Sequence, residues 1–287
     1  VCLFGIFGNL INISVFVKQG LARSINASFF AMAVTDLLEV IAQIWHNFCL
    51  NPYLAQLDSV IDFGAIKYLT AATPGVLLVR ITGWIAVFIT AERCMSIAVP
   101  LKIKQIVTPR RTAATLVFIY VMNFAGIVPL YNAAYFSWTF DPVRNRTKVG
   151  ISFRHNVDEM TSWISSYYSG MTIIAFVSVI IFTNILVLAL KQKSKWRRKS
   201  AAQASQPETM SSKERKTVHT VIVVATVLIV CYTPGIFFNI ATSLSDVFSL
   251  SGRQINVIQA AWSFAFLLHS VNSSITVLLY YTTSSKY

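Results

Sequence analysis

The chain has 287 residues, of which 55% are hydrophobic and 12% charged, and its mean hydropathy is +0.61. A soluble domain is about a quarter charged, so this sequence lacks the polar residues to cover a water-facing surface, and a large soluble helical domain is excluded as its first reading. Lys and Arg outnumber Asp and Glu by 24 to 11, an excess whose placement along the chain decides its meaning.

Apolar runs of about 20 residues, enough to cross a bilayer, fall at roughly 1–17, 27–50, 67–99, 112–135, 162–190, 217–245 and 255–281. The first, "VCLFGIFGNLINISVFV", has only 17 residues before Lys18, which predicts that its outer part and any extracellular tail lie upstream. The last four runs contain no Asp, Glu, Lys or Arg. Backbone groups in lipid must be satisfied within the segment, so the runs are helices. The predicted fold is all-α: a single seven-helix bundle over residues 1–287, with polar connections near 18–26, 51–66, 100–111, 136–161, 191–216 and 246–254.

Orientation follows from Lys and Arg in those connections. One set carries Lys18, Arg23, Lys102, Lys104, Arg110, Arg111, "KQKSKWRRKS", "SKERK" and Lys286. The other carries Lys67, Arg144, Arg146, Lys148, Arg154 and Arg253, offset by Asp58, Asp62, Asp141, Asp158, Glu159 and Asp246. The richer set belongs in the cytoplasm, which puts the N-terminus outside and the C-terminus inside. The positive excess is then a topology signal facing anionic lipid, and nucleic acid is not an expected partner. Asn145-Arg146-Thr147 falls in an outer loop and is the expected glycosylation site. The sequons at Asn26, Asn12 and Asn272 lie on the inner side or within helices.

Ionisable residues inside the membrane are costly and mark function by default. Asp36 and Glu39, at i and i+3, share a face of the second helix. Arg80 lies in the third, about 20 Å outward of Arg93 at 1.5 Å per residue. His46 and His269 lie in the second and seventh, and Asn9, Asn123 and Asn272 add amides. The plainer reading is that such groups tie helices together, with Arg80 and Glu39 as a mutual ion pair. Cys2, Cys49, Cys94 and Cys231 form no close pair and no metal-ligand spacing, so neither zinc nor a disulfide framework is supported.

Five short motifs occur in order. They are Gly8-Asn9; "AMAVTD", ending at Asp36; "ERC", Glu92 to Cys94; "CYTP", Cys231 to Pro234; and "VNSSITVLLYY", Val271 to Tyr281. Over essentially the whole chain this resembles the rhodopsin-like (class A) G-protein-coupled receptors, and phrases such as "ITAERC" with "IAVPLKIKQIVTPRRT" are similar to divergent invertebrate neuropeptide and chemosensory receptors. There are departures. Cys94 stands where Tyr is usual, Tyr232 where Trp is usual, and Thr276-Val277 where Asn-Pro is usual. The outer Cys of the third helix and its partner in residues 131–161 are missing. The fifth helix has no Pro and the fourth lacks its usual Trp.

The resemblance implies a multi-pass plasma-membrane receptor, not an enzyme. It would pass an extracellular signal to a heterotrimeric G protein, with a receptor kinase and arrestin as further partners. The activation switch would involve Glu92, Arg93, Glu214, Tyr232, Pro234 and Tyr280. A sodium ion, the one cofactor in prospect, would sit at Asp36, Thr82, Asn272 and Ser273. Gly75 stands where amine receptors carry Asp, and the seventh helix has no Lys for a retinal Schiff base. A short peptide or a small polar chemosensory molecule remains, with Glu39, His46, Arg80, Tyr168, Asn239 and His269 as candidate contacts. The outer aromatics Trp45, Tyr53, Tyr68, Tyr135, Trp138, Tyr167 and Tyr168 fit a pocket mouth or an interfacial belt. The third cytoplasmic loop, 191–216, reads as a partly disordered contact for G protein, kinase and lipid, with "RRKS" a kinase-site pattern at Ser200. The competing class is a multi-span transporter or channel, although no paired repeat appears. His-Glu-x-x-His and Gly-x-Ser-x-Gly motifs are absent as well.

Overall fold

A computed structural model describes residues 1–56, 60–99, 102–142, 145–154, 157–200, 212–244 and 255–283. Seven of its helices are long and apolar enough to cross a membrane. They are α1 (Cys2–Gln19), α2 (Ser24–Cys49), α3 (Phe63–Ala98), α4 (Pro109–Ala133), α5 (Val157–Ser200), α6 (Ser212–Leu244) and α7 (Ile255–Thr283). The bundle is inverted relative to a soluble core. Leu3, Phe7, Phe118, Ile174, Val230, Phe237 and Leu267 point outward, while Asn9, Asn12, Thr35, Asp36, Thr82 and Thr276 are buried.

Helix α3 is the axis and packs on α2, α4, α5 and α6; α7 closes the ring onto α1, α2 and α6. Apolar burial does not drive helices together in lipid, so close packing of small residues and polar ties must. Gly5 and Gly8 provide the first. A Cβ on Gly5 would lie 2.4 Å from Ser274 Oγ, and one on Gly8 2.8 Å from Val277 Cγ1. Tyr120 provides the second, sharing a 2.6 Å bond with Thr35 Oγ1 and donating to the Ala31 carbonyl, so α4 is fixed to α2.

Two helices depart from regularity. In α3 a π turn at Tyr68–Ala72 precedes Pro74, which has no N–H to continue an ordinary ladder. The backbone N–H and the hydroxyl of Thr73 both donate to the Tyr68 carbonyl instead. In α4 the helix breaks at Gly126, between Ala125 and Val128. Helix α7 has no break at Thr276-Val277, because Val277 retains the N–H that a Pro would lack.

The seven helices match the expected spans, but the all-α expectation omitted a hairpin. Strands β1 (Ala134–Asp141) and β2 (Arg146–Phe153) pair antiparallel, from Ala134 opposite Phe153 to Asp141 opposite Arg146. The aromatic and β-branched residues of "AYFSWTFD" and "RTKVGISF" favour a pleated ribbon, and Asn145 turns the chain at φ 51°. The expected third loop also shrinks. Helix α5 continues to Ser200 and α6 begins at Ser212, so both ends of 191–216 are helical. The charged ends of these helices carry no hydropathy signal, yet Lys, Arg, Gln and Glu are good helix formers.

Candidate functional site

Three polar clusters lie along the bundle. The middle one joins α1, α2, α3 and α7. Asp36 is fully buried; its Oδ1 accepts from Thr82 Oγ1 at 3.0 Å and from Ser273 Oγ at 3.4 Å. Its Oδ2 has no hydrogen-bond partner, and neither has Oε2 of buried Glu39, one turn along the same helix face. Asn272 is buried beside Ser273, with no bond to Asp36. Thr276 turns the other way. It accepts from Asn12 Nδ2 at 3.2 Å and donates to Asn9 Oδ1 at 3.4 Å, so it ties α7 to α1. Asn9 Nδ2 completes that tie on the Ser273 carbonyl at 2.7 Å. Two buried carboxyl groups with spare oxygen lone pairs suit a hard cation or a proton.

The expected Arg80–Glu39 ion pair does not form. Arg80 Nε and Nη1 have no partner, and the part-buried ion pair of the bundle is Arg93 with Glu92. Helix geometry explains this: Thr82 faces α2, and Arg80, two residues earlier, is about 200° around α3. Its guanidinium lies 3.6 Å above the centre of the Tyr168 ring on α5. The Tyr168 hydroxyl donates to the Asn123 carbonyl at 3.1 Å. The break at Gly126 makes this bond available: Ile127 N–H turns to Phe124, leaving Asn123 without its helical donor. Gly126 also makes room, since a Cβ there would lie 2.6 Å from Tyr168 Oη. Arg80 is 6% exposed, and its Nε and Nη1 have no hydrogen-bond partner. Stacking on an aromatic ring returns about 0.5–2 kcal/mol, whereas an unpaired buried ion costs several. Structure alone therefore gives no reason to keep Arg80.

On the opposite side of α3 from Arg80 stand His46, Phe266, His269 and Tyr232. The ring centroids are 5.3 Å apart for His46 and Phe266, and 4.9 Å for Tyr232 and His269. Tyr232 donates to the Val79 carbonyl. Asn239 accepts from Ser169 at 3.0 Å, holding α6 to α5. The candidate ligand contacts thus form two groups: Arg80 with Tyr168 on one side of α3, and Glu39, His46 and His269 on the other. Of the aromatics expected at the pocket mouth, Trp45 is tied to Thr70 by a 2.8 Å bond and Tyr53 and Trp138 are exposed, while Tyr168 lies under Arg80 with the Tyr167 ring packed beside it, centroids 5.4 Å apart.

At the far end of α3, Arg93 Nη2 donates to Glu92 Oε1 at 2.5 Å. Glu92 Oε2 and Arg93 Nε keep no partner. The side chain of Glu214 lies outside the described residues, as does that of Ser200. Cys94 donates its thiol to the Phe182 carbonyl on α5. Tyr280 packs edge-on against Phe16 and tilted against Phe29, closing α7 onto α1 and α2.

A family model described as "7 transmembrane receptor (rhodopsin family)" matches residues 8–280. The chain belongs to this family. The receptor is also 23% identical over 255 residues to a Caenorhabditis elegans protein named as a G-protein coupled receptor, covering 80% of this chain and 57% of the relative. It therefore spans little more than half of that relative's length. Within the family fold the receptor is a multi-pass membrane protein of the plasma membrane.

Its hairpin loop is held without a disulfide, since all four cysteines are free. The hairpin docks on the segment before α3 by two backbone bonds: Val149 N–H to Val60 O at 2.7 Å and Asp62 N–H to Val149 O at 2.9 Å. Asn145 is exposed at the hairpin tip, whereas the sequon residues Asn12, Asn26 and Asn272 are buried in the receptor. Sequence reasoning missed the roles of Asn123, Gly126 and Tyr120. Gly126 with Pro129 was the available signal, because a Gly followed by Pro marks a helix break that frees carbonyls.

Proposed function

We propose that the receptor takes an extracellular ligand at the hairpin end of the bundle and signals to a heterotrimeric G protein at the other end. The observation that carries this reading is Arg93, held by Glu92 at the end of α3 remote from the hairpin. An arginine with an unpartnered Nε, bound to a single acid, is a two-state element that a partner can bias. Glu214, near the start of α6, is its second restraint. The Lys and Arg excess supports a cytoplasmic location for this end and an outside N-terminus. Asn145, exposed on the hairpin, is the glycosylation site.

The ligand is a short peptide or a small chemosensory molecule. Gly75 in place of an acid argues against an amine, and the lack of Lys in α7 argues against retinal. Glu39, His46, Arg80, Tyr168, Asn239 and His269 are the contacts we assign to it. A sodium ion at Asp36 fits the spare Oδ2, with Thr82 and Ser273 on the other oxygen and Asn272 adjacent. Glu39 offers the oxygen that Thr276, turned to α1, does not. The stretch 191–216 serves the G protein, a receptor kinase acting at Ser200, and arrestin.

The test is nucleotide exchange on a panel of Gα subunits by the reconstituted receptor, challenged with short peptides and polar chemosensory molecules. Ligand-dependent exchange supports the reading. Solute flux without exchange on any Gα would replace it with a transporter or channel.

A further inference from the structure

We propose that Arg80, buried where α3 packs against α4 and α5, anchors a carboxylate of the ligand. This deepens the receptor reading and rests on it only for the ligand's biological role. Arginine does not shed its proton in a protein, so the charge on Arg80 stays, at 6% exposure, inside a membrane bundle. No described acid pairs with it, since the acids of α2 lie across α3, where Thr82 points. Its Nε and Nη1 are unsatisfied. An intramembrane cation without a counter-ion is a cost that a bound anion removes.

The surroundings favour a carboxylate over a diffuse anion. A planar guanidinium matches a planar carboxylate, and the pair is stronger than a neutral hydrogen bond. Tyr168 covers one face of the guanidinium and is itself fixed by its bond to Asn123 and by the gap at Gly126. The guanidinium plane is therefore set before ligand arrives, which lowers the ordering cost of binding. Two further buried groups lack partners nearby in the chain fold. Trp84 Nε1, one turn along α3, is a donor, and Asn123 Oδ1 is an acceptor on the residue that holds Tyr168. A ligand that carries an acid beside an amide or hydroxyl would satisfy all three. The acid is either a small free carboxylic acid or the C-terminus of a peptide.

The purified receptor in lipid nanodiscs tests this by thermal stability, which needs no G protein. The probes are acetate, benzoate and lactate with their amides or methyl esters, and tetrapeptides with free or amidated C-termini. At least one acid raises the melting temperature, with apparent affinity at least tenfold above that of its neutral counterpart. Which arm responds identifies the source of the carboxylate. Arg80→Gln abolishes the shift and Arg80→Lys retains part of it. Without probe, Arg80→Gln is as stable as the parent or more so, because it removes an unpaired buried charge. Equal shifts by acids and amides, no shift by any acid, or an Arg80→Gln protein that melts earlier and still responds would overturn the proposal. An acid shift without nucleotide exchange on any Gα would leave the carboxylate site standing and sink the G-protein reading.

Discussion

Tyr232 on α6 donates its hydroxyl to the backbone carbonyl of Val79 on α3, across 3.2 Å in the buried centre of the receptor. The phenol does this at the position where the family usually has an indole, two residues before Pro234, which lies inside the continuous helix α6. The bond therefore ties the Pro234 segment of α6 to the central helix. A buried neutral hydrogen bond contributes about 1 kcal/mol. If the bond belongs to the resting arrangement, Tyr232→Phe raises ligand-independent nucleotide exchange by about fivefold. Unchanged exchange at equal surface expression would mean that α6 does not use this bond as a restraint.

Gly126 and Tyr168 should couple. A methyl at Gly126 meets the Tyr168 hydroxyl at 2.6 Å and its ring at 2.9 and 3.0 Å. Gly126 has φ −68°, so alanine is strained there only by contact. Gly126→Ala is expected to destabilise the receptor by about 1–3 kcal/mol, as overpacking does. Part of that loss returns in the Tyr168→Phe background. Thermal melts of the two single variants and the double variant check this, and strict additivity would show that the two residues do not meet.

The hairpin depends on backbone bonds rather than on a covalent bridge. Thiol reductants should leave the melting temperature of the receptor unchanged. Val149→Pro removes the N–H that bonds Val60, leaving the Val149 carbonyl on Asp62 as the remaining tie. Faster hydrogen exchange across 60–66 and 134–153 is the expected readout, with helix α7 unaffected. Loss of structure on reduction would contradict this arrangement.

Sodium should stabilise the receptor relative to choline at equal ionic strength. Asp36→Asn abolishes the effect, because it removes the charge at the fully buried oxygen pair. Glu39→Gln weakens the effect without abolishing it. Thr276→Ala leaves it intact, since Thr276 serves Asn9 and Asn12. A sodium response that depends on Thr276 and not on Glu39 would reverse this assignment.

Much of the architecture was legible in the sequence. Runs of about 20 apolar residues report a helix directly, because only hydropathy and length are involved. The hairpin was not legible in that way. Its residues alternate with period two in a segment too short and too polar to span, and its hold on Ile61 is a contact between backbones, which no side-chain pattern encodes. The site divided along similar lines. Asp36, Thr82 and Ser273 could be grouped because a family motif names them. Arg80 and Glu39 could not be separated by sequence, because the rotation of α3 relative to α2 is set by packing. The bond from Thr82 to Asp36 fixes that rotation and turns Arg80 to Tyr168. The ends of α5 and α6 ran past the hydropathy signal, since charged residues can continue a helix into water.

The most direct test of the central claim is basal nucleotide exchange on Gα by three proteins at equal surface density: the parent receptor, Glu92→Gln and Arg93→Ala. The Glu92–Arg93 pair lies at the end of α3 remote from the hairpin, where we propose that the G protein binds. Glu92→Gln should raise basal exchange several-fold, and Arg93→Ala should abolish it. Exchange that is the same in all three, or absent from all three with every Gα tested, would contradict the account.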